Sequence, residues 1–440
     1  MPPGAPRYDR APADPPVTPV LRRGGCLPSV TPPPRYHPAM PQPHSSTLIP
    51  RLEQIQAELA RQQLDGWLLY DFRRSNPGAQ ALIRPLLEGN TASRRVLLFI
   101  PADGTPTLAV HAIEVGSLRP DLPVKVVSYA SREDWGRTLR ELVGGLARLA
   151  MEYSPGGDNP YTGTVDAGTI ERVRATGVEV VSSGDVAQVL ELWSEQQLQD
   201  HLTAAEGVIA AKDAAFAFLA ERSRAGESVS EVEVQELIEA KFAEVGLVTG
   251  SSPNVSFGAH AGDPHYHPLA GVRDATLQPG DVVLIDLWAK VDSPEAPYAD
   301  VTWMGVQGEP SARLREVWEA VREARDVAFT TIAEAYAAGR WPTGAEVDRA
   351  ARQVLVDAGL GEAFTHRTGH SLGLDTTHGS AAHLDDFETA DTRTLMPGLG
   401  LTIEPGAYFP EFGVRSEINL YIGEEGPLAT TELQSDLELL

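Results

Sequence analysis

The sequence predicts an α+β protein in which a small α/β domain precedes a larger domain whose helices cover one face of a curved antiparallel sheet. Three observations lead there. Short strand-like and helical runs alternate between residues 45 and 190. From 191 to 440 two long helical stretches, then strands, then two further helices and strands follow, the order of a pseudo-repeated unit. The strands of this second half carry single acids inside otherwise apolar runs.

Each element has a local cause. Residues 1–44, with "MPPGAPRYDRAPADPPVTPV" and "TPPPRYHPAMPQPHSS", are rich in proline and lack the apolar run of a signal peptide, so a disordered leader is expected. Met40 stands just ahead of the first segment with a folding pattern, and a native start near it, after a misassigned extension, is expected. Leu48, Leu52, Ile55 and Leu59 recur at helical spacing, and Trp67 to Tyr70 reads as a strand. The β-rich runs "RRVLLFI" and "TPTLAVHAI" flank Asp103-Gly104, a hairpin signal. Helical "REDWGRTLRELVGGL", strand-like "ARLAMEY", helical "AGTIERVRAT" and strand-like "VEVVSS" complete the domain over 45–190.

In the second domain, 191–440, Ser194 precedes a long Ala/Leu/Ile face and predicts one helix over 194–222. Ser230 and Glu233 have capping-box spacing, and Gly246 stops that second helix. Strands are expected at "PNVSFG", "DVVLIDLWAKV" and "YADVTWMGVQG", helices over 311–337 and 344–359, and closing strands in "LTIEPGAYF" and "GVRSEINLYIG".

A chain of 440 residues that is 42% hydrophobic has the apolar material for a large core in two domains. Lys and Arg number 36 against 61 Asp and Glu, a net charge of −25, which argues against nucleic acid or an anionic membrane as partner. Much of that excess reads as an ordinary solvated surface. The one cysteine, Cys26, excludes an internal disulfide framework and a cysteine-ligated zinc site and fits a reducing cytoplasm, the expected location. No apolar run approaches the length of a membrane span.

The stretch "TGHSLGLDTTHG" contains Gly369-His370-Ser371-Leu372-Gly373, which spells the G-x-S-x-G elbow of serine hydrolases. Residue order rejects Ser371 as a nucleophile. Only His378 and His383 follow it, with Asp375 the sole intervening carboxylate, and a triad so compressed cannot come from separate strand ends. Nor does "LGLDTTHGSAAH" carry the helical repeat that an elbow opens into.

The neighbouring chemistry is of another kind. Seven of the eleven histidines (His260, His265, His267, His366, His370, His378 and His383) fall in the second domain between 260 and 383. Asp286, Asp300, Glu404 and Glu417 each interrupt an apolar strand, where an ionised carboxylate is costly unless paired or metal-bound. Any one of them alone reads as a solvent-facing strand residue; four in one domain do not. Asp286 and Asp300 can share a face of adjacent antiparallel strands joined by "VDSPEAP". Four clustered carboxylates would hold protons without cations, and two divalent metals would balance them. Oxygen donors with one imidazole lean toward manganese, with iron, cobalt and zinc as other candidates.

On these residues the sequence resembles the pita-bread metallopeptidases: methionine aminopeptidase, aminopeptidase P and prolidase, with creatinase as a relative that cuts no peptides. The family's ordered ligands Asp, Asp, His, Glu, Glu fall on Asp286, Asp300, His370, Glu404 and Glu417, and "GHSLGLD", "IEPGAY" and "GVRSEINL" look like the proline-peptidase branch. The resemblance covers 194–440; the first domain resembles the creatinase-like amino-terminal domain by size and position.

What the resemblance implies is a dinuclear hydrolase, expected as a homodimer, that cleaves an Xaa-Pro bond in a dipeptide or short peptide. Glu404 would bind metal and carry the proton; His265 and His378 would line the proline pocket; His366 would stand near the substrate carbonyl. Arg415, two residues before Glu417 on the same side of its strand, can brace the carboxylates or meet the substrate carboxylate. His378 stands eight positions after His370 where the pattern has seven, so His383 is a second candidate for that role. The loop "YDFRRSNPGA", with Asp71, Arg73 and Arg74, either closes the site on a dipeptide, across a dimer, or is a solvated turn built on Asn76-Pro77-Gly78. Xaa-Pro dipeptidase is the expected activity and Xaa-Pro aminopeptidase the alternative; a creatinase-like amidinohydrolase and a non-catalytic scaffold are remote.

Overall fold

Six short apolar runs in the first half of the chain pair into one sheet. They are β1 (Gly66–Asp71), β2 (Val96–Pro101), β3 (Thr107–His111), β4 (Lys125–Tyr129), β5 (Arg148–Met151) and β6 (Glu179–Ser182), in the order β4-β3-β2-β1-β5-β6. β2 is antiparallel to both its neighbours, while β1 with β5, β5 with β6 and β3 with β4 are parallel, so five of the six strands run one way. The β2–β3 hairpin turns through Gly104 at φ +98°, a value open to glycine. Helices α1 (Leu52–Arg61) and α2 (Pro77–Ile83) cover one face through Ile55, Leu59 and Leu82; α3 (Arg132–Val143) and α4 (Ala167–Arg174) cover the other through Trp135, Leu139, Ile170 and Val173. A short α5 (Gly184–Ala187) closes the domain.

The computed structural model describes residues 49–88 and 92–440, so the proline-rich leader and the expected start at Met40 lie outside the described residues. His44–Leu440 forms one unit. We propose the domain boundary between β6 and the next long helix. Across it Gln188 accepts from Ala382 N (3.0 Å) and donates to Thr394 O (3.1 Å), and Trp193 N donates to Gly398 O (2.7 Å).

The second half repeats one plan. Helices α6 (Glu195–Ala225) and α7 (Glu231–Glu244) precede β7 (Leu247–Val248), β8 (Asn254–Phe257), β9 (Val282–Val291) and β10 (Ala299–Val306); α8 (Ala312–Ala337) and α9 (Gly344–Asp357) precede β11 (Gly400–Ile403), β12 (Gly406–Tyr408), β13 (Gly413–Arg415), β14 (Ile418–Gly423), β15 (Gly426–Ala429) and β16 (Glu438–Leu439). Capping boxes at Ser194/Gln197, Ser230/Glu233 and Thr343/Glu346 start α6, α7 and α9. The first helix pair buries Val208, Phe216 and Ile238 against Ile285 and Val301; the second buries Val321, Ala328 and Leu355 against Leu401 and Leu420. The expected single antiparallel sheet is divided into three ladders: β16-β10-β9-β7 with β8 on β9, β11-β14-β15, and β12-β13; β16 joins β10 in parallel. No helix among the described residues is long and apolar enough to cross a membrane.

Candidate active site

The β9–β10 register sets Thr302 opposite Asp286 and Trp288 opposite Asp300. The two acids are therefore diagonal neighbours on one face of the pair. Glu404 directly follows β11, and Glu417 lies between β13 and β14. His370 sits in a bridging segment whose backbone runs hard against β11. A Cβ on Gly369 would fall 2.2 Å from Thr402 O, and this closeness lets His370 N donate to Thr402 Oγ1 at 3.0 Å. The glycine of "GHS" thus serves backbone approach. Ser371 is buried, its hydroxyl donating weakly to Ala381 O at 3.3 Å, with no helix after it.

All five ligand candidates line a cavity of about 540 Å³. One ligand atom each from Asp300, His370 and Glu417 lie within 4.8 Å of one another. His370 Nε2 stands 3.7 Å from Asp300 Oδ2 and 3.5 Å from Glu404 Oε1, while its Nδ1–H donates to Ser371 O at 2.9 Å and fixes the tautomer that aims a lone pair at the carboxylates. Asp286 pairs with Arg415 Nη2. Arg415 Nε donates to Thr302 Oγ1 (2.8 Å), and that hydroxyl donates to Glu417 Oε2 (2.8 Å).

The electrostatics ask for cations. Burial, then the Asp286 and Glu404 charges, raise the Asp300 pKa well above the carboxylate range; burial, then Asp300, Glu404 and Asp286, do the same to Glu417. Burial raises Asp286 too, with Arg415 opposing. Burial, helped by Arg367 and Arg415, depresses His370 to about 3, so its imidazole is neutral and free to ligate. Asp300 Oδ1 is buried without a hydrogen-bond partner among the described residues, an unmet acceptor that a cation would satisfy. Carboxylate oxygens and a neutral imidazole fit hard or borderline divalent metals.

His265, His366, His378 and Arg415 line the same cavity. His378 reaches it despite the eight-residue spacing because the extra residue is taken up in a closed turn. Gly373 N donates to Thr377 O (2.9 Å) and Gly379 N to Ser371 O (2.7 Å), leaving the His378 ring 4.0 Å from that of His370. His383 does not line the cavity: it is buried, its Nδ1 accepting from Ser371 N at 3.1 Å. His366 donates from Nδ1 to Arg367 O (2.7 Å), so its Nε2 accepts from the Tyr408 hydroxyl (2.8 Å) and carries no proton for a carbonyl oxygen in this state. His378 Nδ1 accepts from Arg367 Nη2 (3.0 Å), which leaves Nε2–H as its donor.

Asp71 and Arg74 do not line this chain's cavity. Asp71 is buried, and its carboxylate accepts from Arg74 N (3.1 Å), Asn76 N (3.1 Å) and Gln80 Nε2 (2.9 Å), so within one chain it holds the turn, and the substrate contact expected of this loop across a dimer belongs to the proposed homodimer. The amino-terminal domain instead supplies Tyr161, whose hydroxyl accepts from Arg367 Nη1 at 2.9 Å and whose ring meets His383 edge-on. Tyr161, Arg367, Trp288, Thr302 and Thr402 escaped the sequence reading. Strand alternation could have found the threonines, since each stands two residues from an acid, as Asp300/Thr302 and Thr402/Glu404.

Comparison with known proteins agrees with this geometry. Residues 203–424 match the family model of metallopeptidase family M24. The chain is 28% identical over 358 residues to the probable dipeptidase PepE of Mycobacterium bovis, covering 79% of this chain and 86% of that one. It is 32% identical over 213 residues to the Xaa-Pro dipeptidase of Lactobacillus delbrueckii subsp. lactis, covering 48% and 52%. Among solved structures, dipeptidase PepE from Mycobacterium ulcerans superimposes with a TM-score of 0.60 at 24% identity, over 91% of this chain and 99% of that one.

Proposed function

The chain belongs to metallopeptidase family M24, with its pita-bread catalytic fold, and from that premise we propose that it is an Xaa-Pro dipeptidase using two divalent cations, manganese first among them. The observation that carries the reading is the convergence of Asp300, His370 and Glu417 within 4.8 Å in a cavity that Asp286 and Glu404 also line. The dipeptide preference is supported by the names of the relatives, a probable dipeptidase and an Xaa-Pro dipeptidase. A homodimer in the cytoplasm is part of the same reading.

Asp286, Asp300, His370, Glu404 and Glu417 would hold the cations. Divalent cations held there would lower the pKa of the attacking water and polarise the scissile carbonyl. The protein's own groups do the rest. The Glu404 carboxylate takes the proton of the attacking water and passes it to the departing proline nitrogen. Thr402 Oγ1 donates to Glu404 Oε1 at 3.2 Å and steadies that carboxylate for the transfer. His378 Nε2–H donates to the peptide beside the scissile bond, held in that tautomer by Arg367. The Tyr408 hydroxyl donates to His366 Nε2 and holds that ring at the cavity wall, beside the substrate carbonyl. His265, on the exposed rim, closes over the proline ring, which lacks the amide hydrogen that other peptides use for docking.

Chelator-stripped protein reconstituted with manganese and assayed on Xaa-Pro dipeptides, an Xaa-Pro-Yaa tripeptide and creatine tests this. Recovery on dipeptides alone is the expected result. Turnover of the tripeptide would make the enzyme an aminopeptidase P; metal-independent turnover of creatine, or no turnover and no retained metal, would overturn the proposal.

A further inference from the structure

The amino-terminal sheet has a cavity of its own, of about 610 Å³, sharing no lining residue with the catalytic one. It lies where β1 and β5 end. After β1 the chain passes to α2 on one face of the sheet, and after β5 to α4 on the other. Adjacent parallel strands whose connections part in this way open a crevice beyond their carboxyl ends, and open α/β sheets take ligands there. Tyr70 and Phe72 line the cavity from the end of β1, and the loop from Gly163 to Asp166 lines it after β5.

Its chemistry is opposite to that of the chain. In a protein of net charge −25, Arg95, Arg132 and Arg172 converge on this one cavity, and among the described residues none of the three has a carboxylate partner. Arg95 and Arg172 stack on Trp135, their guanidinium carbons 5.0 and 5.7 Å from its ring centroid. Trp135 is only 3% exposed, yet its Nε1–H has no acceptor among the described residues, and Thr164 Oγ1, in the same lining, is equally unpartnered there. The first turn of α4 contributes Gly168 and Thr169, and α3 begins at Arg132. Asp166, the acid in the lining, is committed to capping α4 through Thr169 N (3.0 Å) and Thr169 Oγ1 (2.7 Å).

We propose that this cavity binds a phosphate group, free or as the monoester of a nucleotide-sized metabolite. Three guanidinium forks and an indole N–H make a donor set for a multiply charged tetrahedral oxyanion, and the volume admits a molecule beyond the phosphate. The site is independent of the reading of the catalytic centre.

Titration calorimetry of the full-length protein at low ionic strength, with inorganic phosphate, AMP and adenosine, tests it. Saturable binding of phosphate or AMP is expected, with none for adenosine. Affinity should weaken about tenfold in Arg95→Gln and in Arg172→Gln, as loss of a charged hydrogen bond implies. AMP tighter than phosphate identifies a monoester; equal affinities identify free phosphate. Arg132 is exposed and has no ion-pair partner among the described residues, so Arg132→Gln should weaken binding with peptidase activity in phosphate-free buffer unchanged, and it keeps the test decisive if the other variants fold poorly. Absence of saturable phosphate and AMP binding, or affinities unmoved in all three variants, would overturn the proposal.

Discussion

Arg367 Nη1 donates to the Tyr161 hydroxyl at 2.9 Å, and through this bond the amino-terminal domain forms part of the wall of the carboxylate-lined cavity. Tyr161→Phe removes the acceptor and leaves a buried guanidinium one partner short. The KM for an Xaa-Pro dipeptide should rise roughly five- to tenfold while kcat changes little, since the bond positions substrate rather than stabilising reacting atoms. Steady-state kinetics check this; equal loss in kcat would assign Tyr161 to the chemical step.

Thr302 is the hydroxyl between Arg415 and Glu417. Thr302→Val leaves Glu417 without its hydroxyl donor and Arg415 one partner short, at a cost of about 2 kcal/mol in stability. Because Glu417 then loses its orientation, metal affinity should fall roughly tenfold or more. Denaturant melts and metal titration read the two effects separately.

Metal removal should be visible without any substrate. The raised pKa values of Asp300 and Glu417 come from burial and then from the neighbouring carboxylates, Asp286 and Glu404 among them, so a bound cation relieves that repulsion. Manganese at a hundred times its dissociation constant should stabilise the fold by about 2.7 kcal/mol, read as a rise in Tm over the chelated protein. A Tm unchanged by manganese would sink the metal site.

His378 and His383 should part cleanly on mutation. His378→Ala removes a cavity-facing donor, so kcat/KM should fall roughly a hundredfold with little change in Tm. His383→Ala strips the acceptor from Ser371 N inside the core, so Tm should fall. Kinetics beside thermal melts on both variants would expose a reversed pattern.

His201 gives the pH dependence of stability. Burial lowers its pKa to about 4, with Nδ1–H donating to Tyr298 O (2.9 Å) and Nε2 bonded to Thr430 Oγ1 (2.8 Å). Above about pH 6.5 the ring is neutral in both states and adds no slope. As pH falls from 6.5 to 4 the unfolded chain takes up a proton that the folded chain refuses, so stability drops, by about 3 kcal/mol in all. His201→Gln should flatten that part of a Tm-against-pH curve.

What the sequence made legible was whatever leaves a periodic or chemical trace. Acids in apolar strands and serines ahead of long apolar faces led directly to the ligand candidates and to α6 and α7. The misses have physical causes. β4 is an edge strand with exposed residues at three of its five positions and so lacks an apolar face. Asn76-Pro77-Gly78 reads as a turn, yet Asn76 caps Ala79 N at 3.1 Å and Pro77 opens α2, the same chemistry starting a helix. Tyr161 and Arg367 stand about 200 positions apart, and nothing local in either stretch announces the other.

The segment that delivers Tyr161 to one cavity continues, two residues on, as Gly163 in the wall of the other. Hybrid enzymes that exchange amino-terminal halves between relatives would thus carry over more than a passive shell. Each graft would import a side chain of the catalytic wall together with the neighbouring arginine-lined crevice.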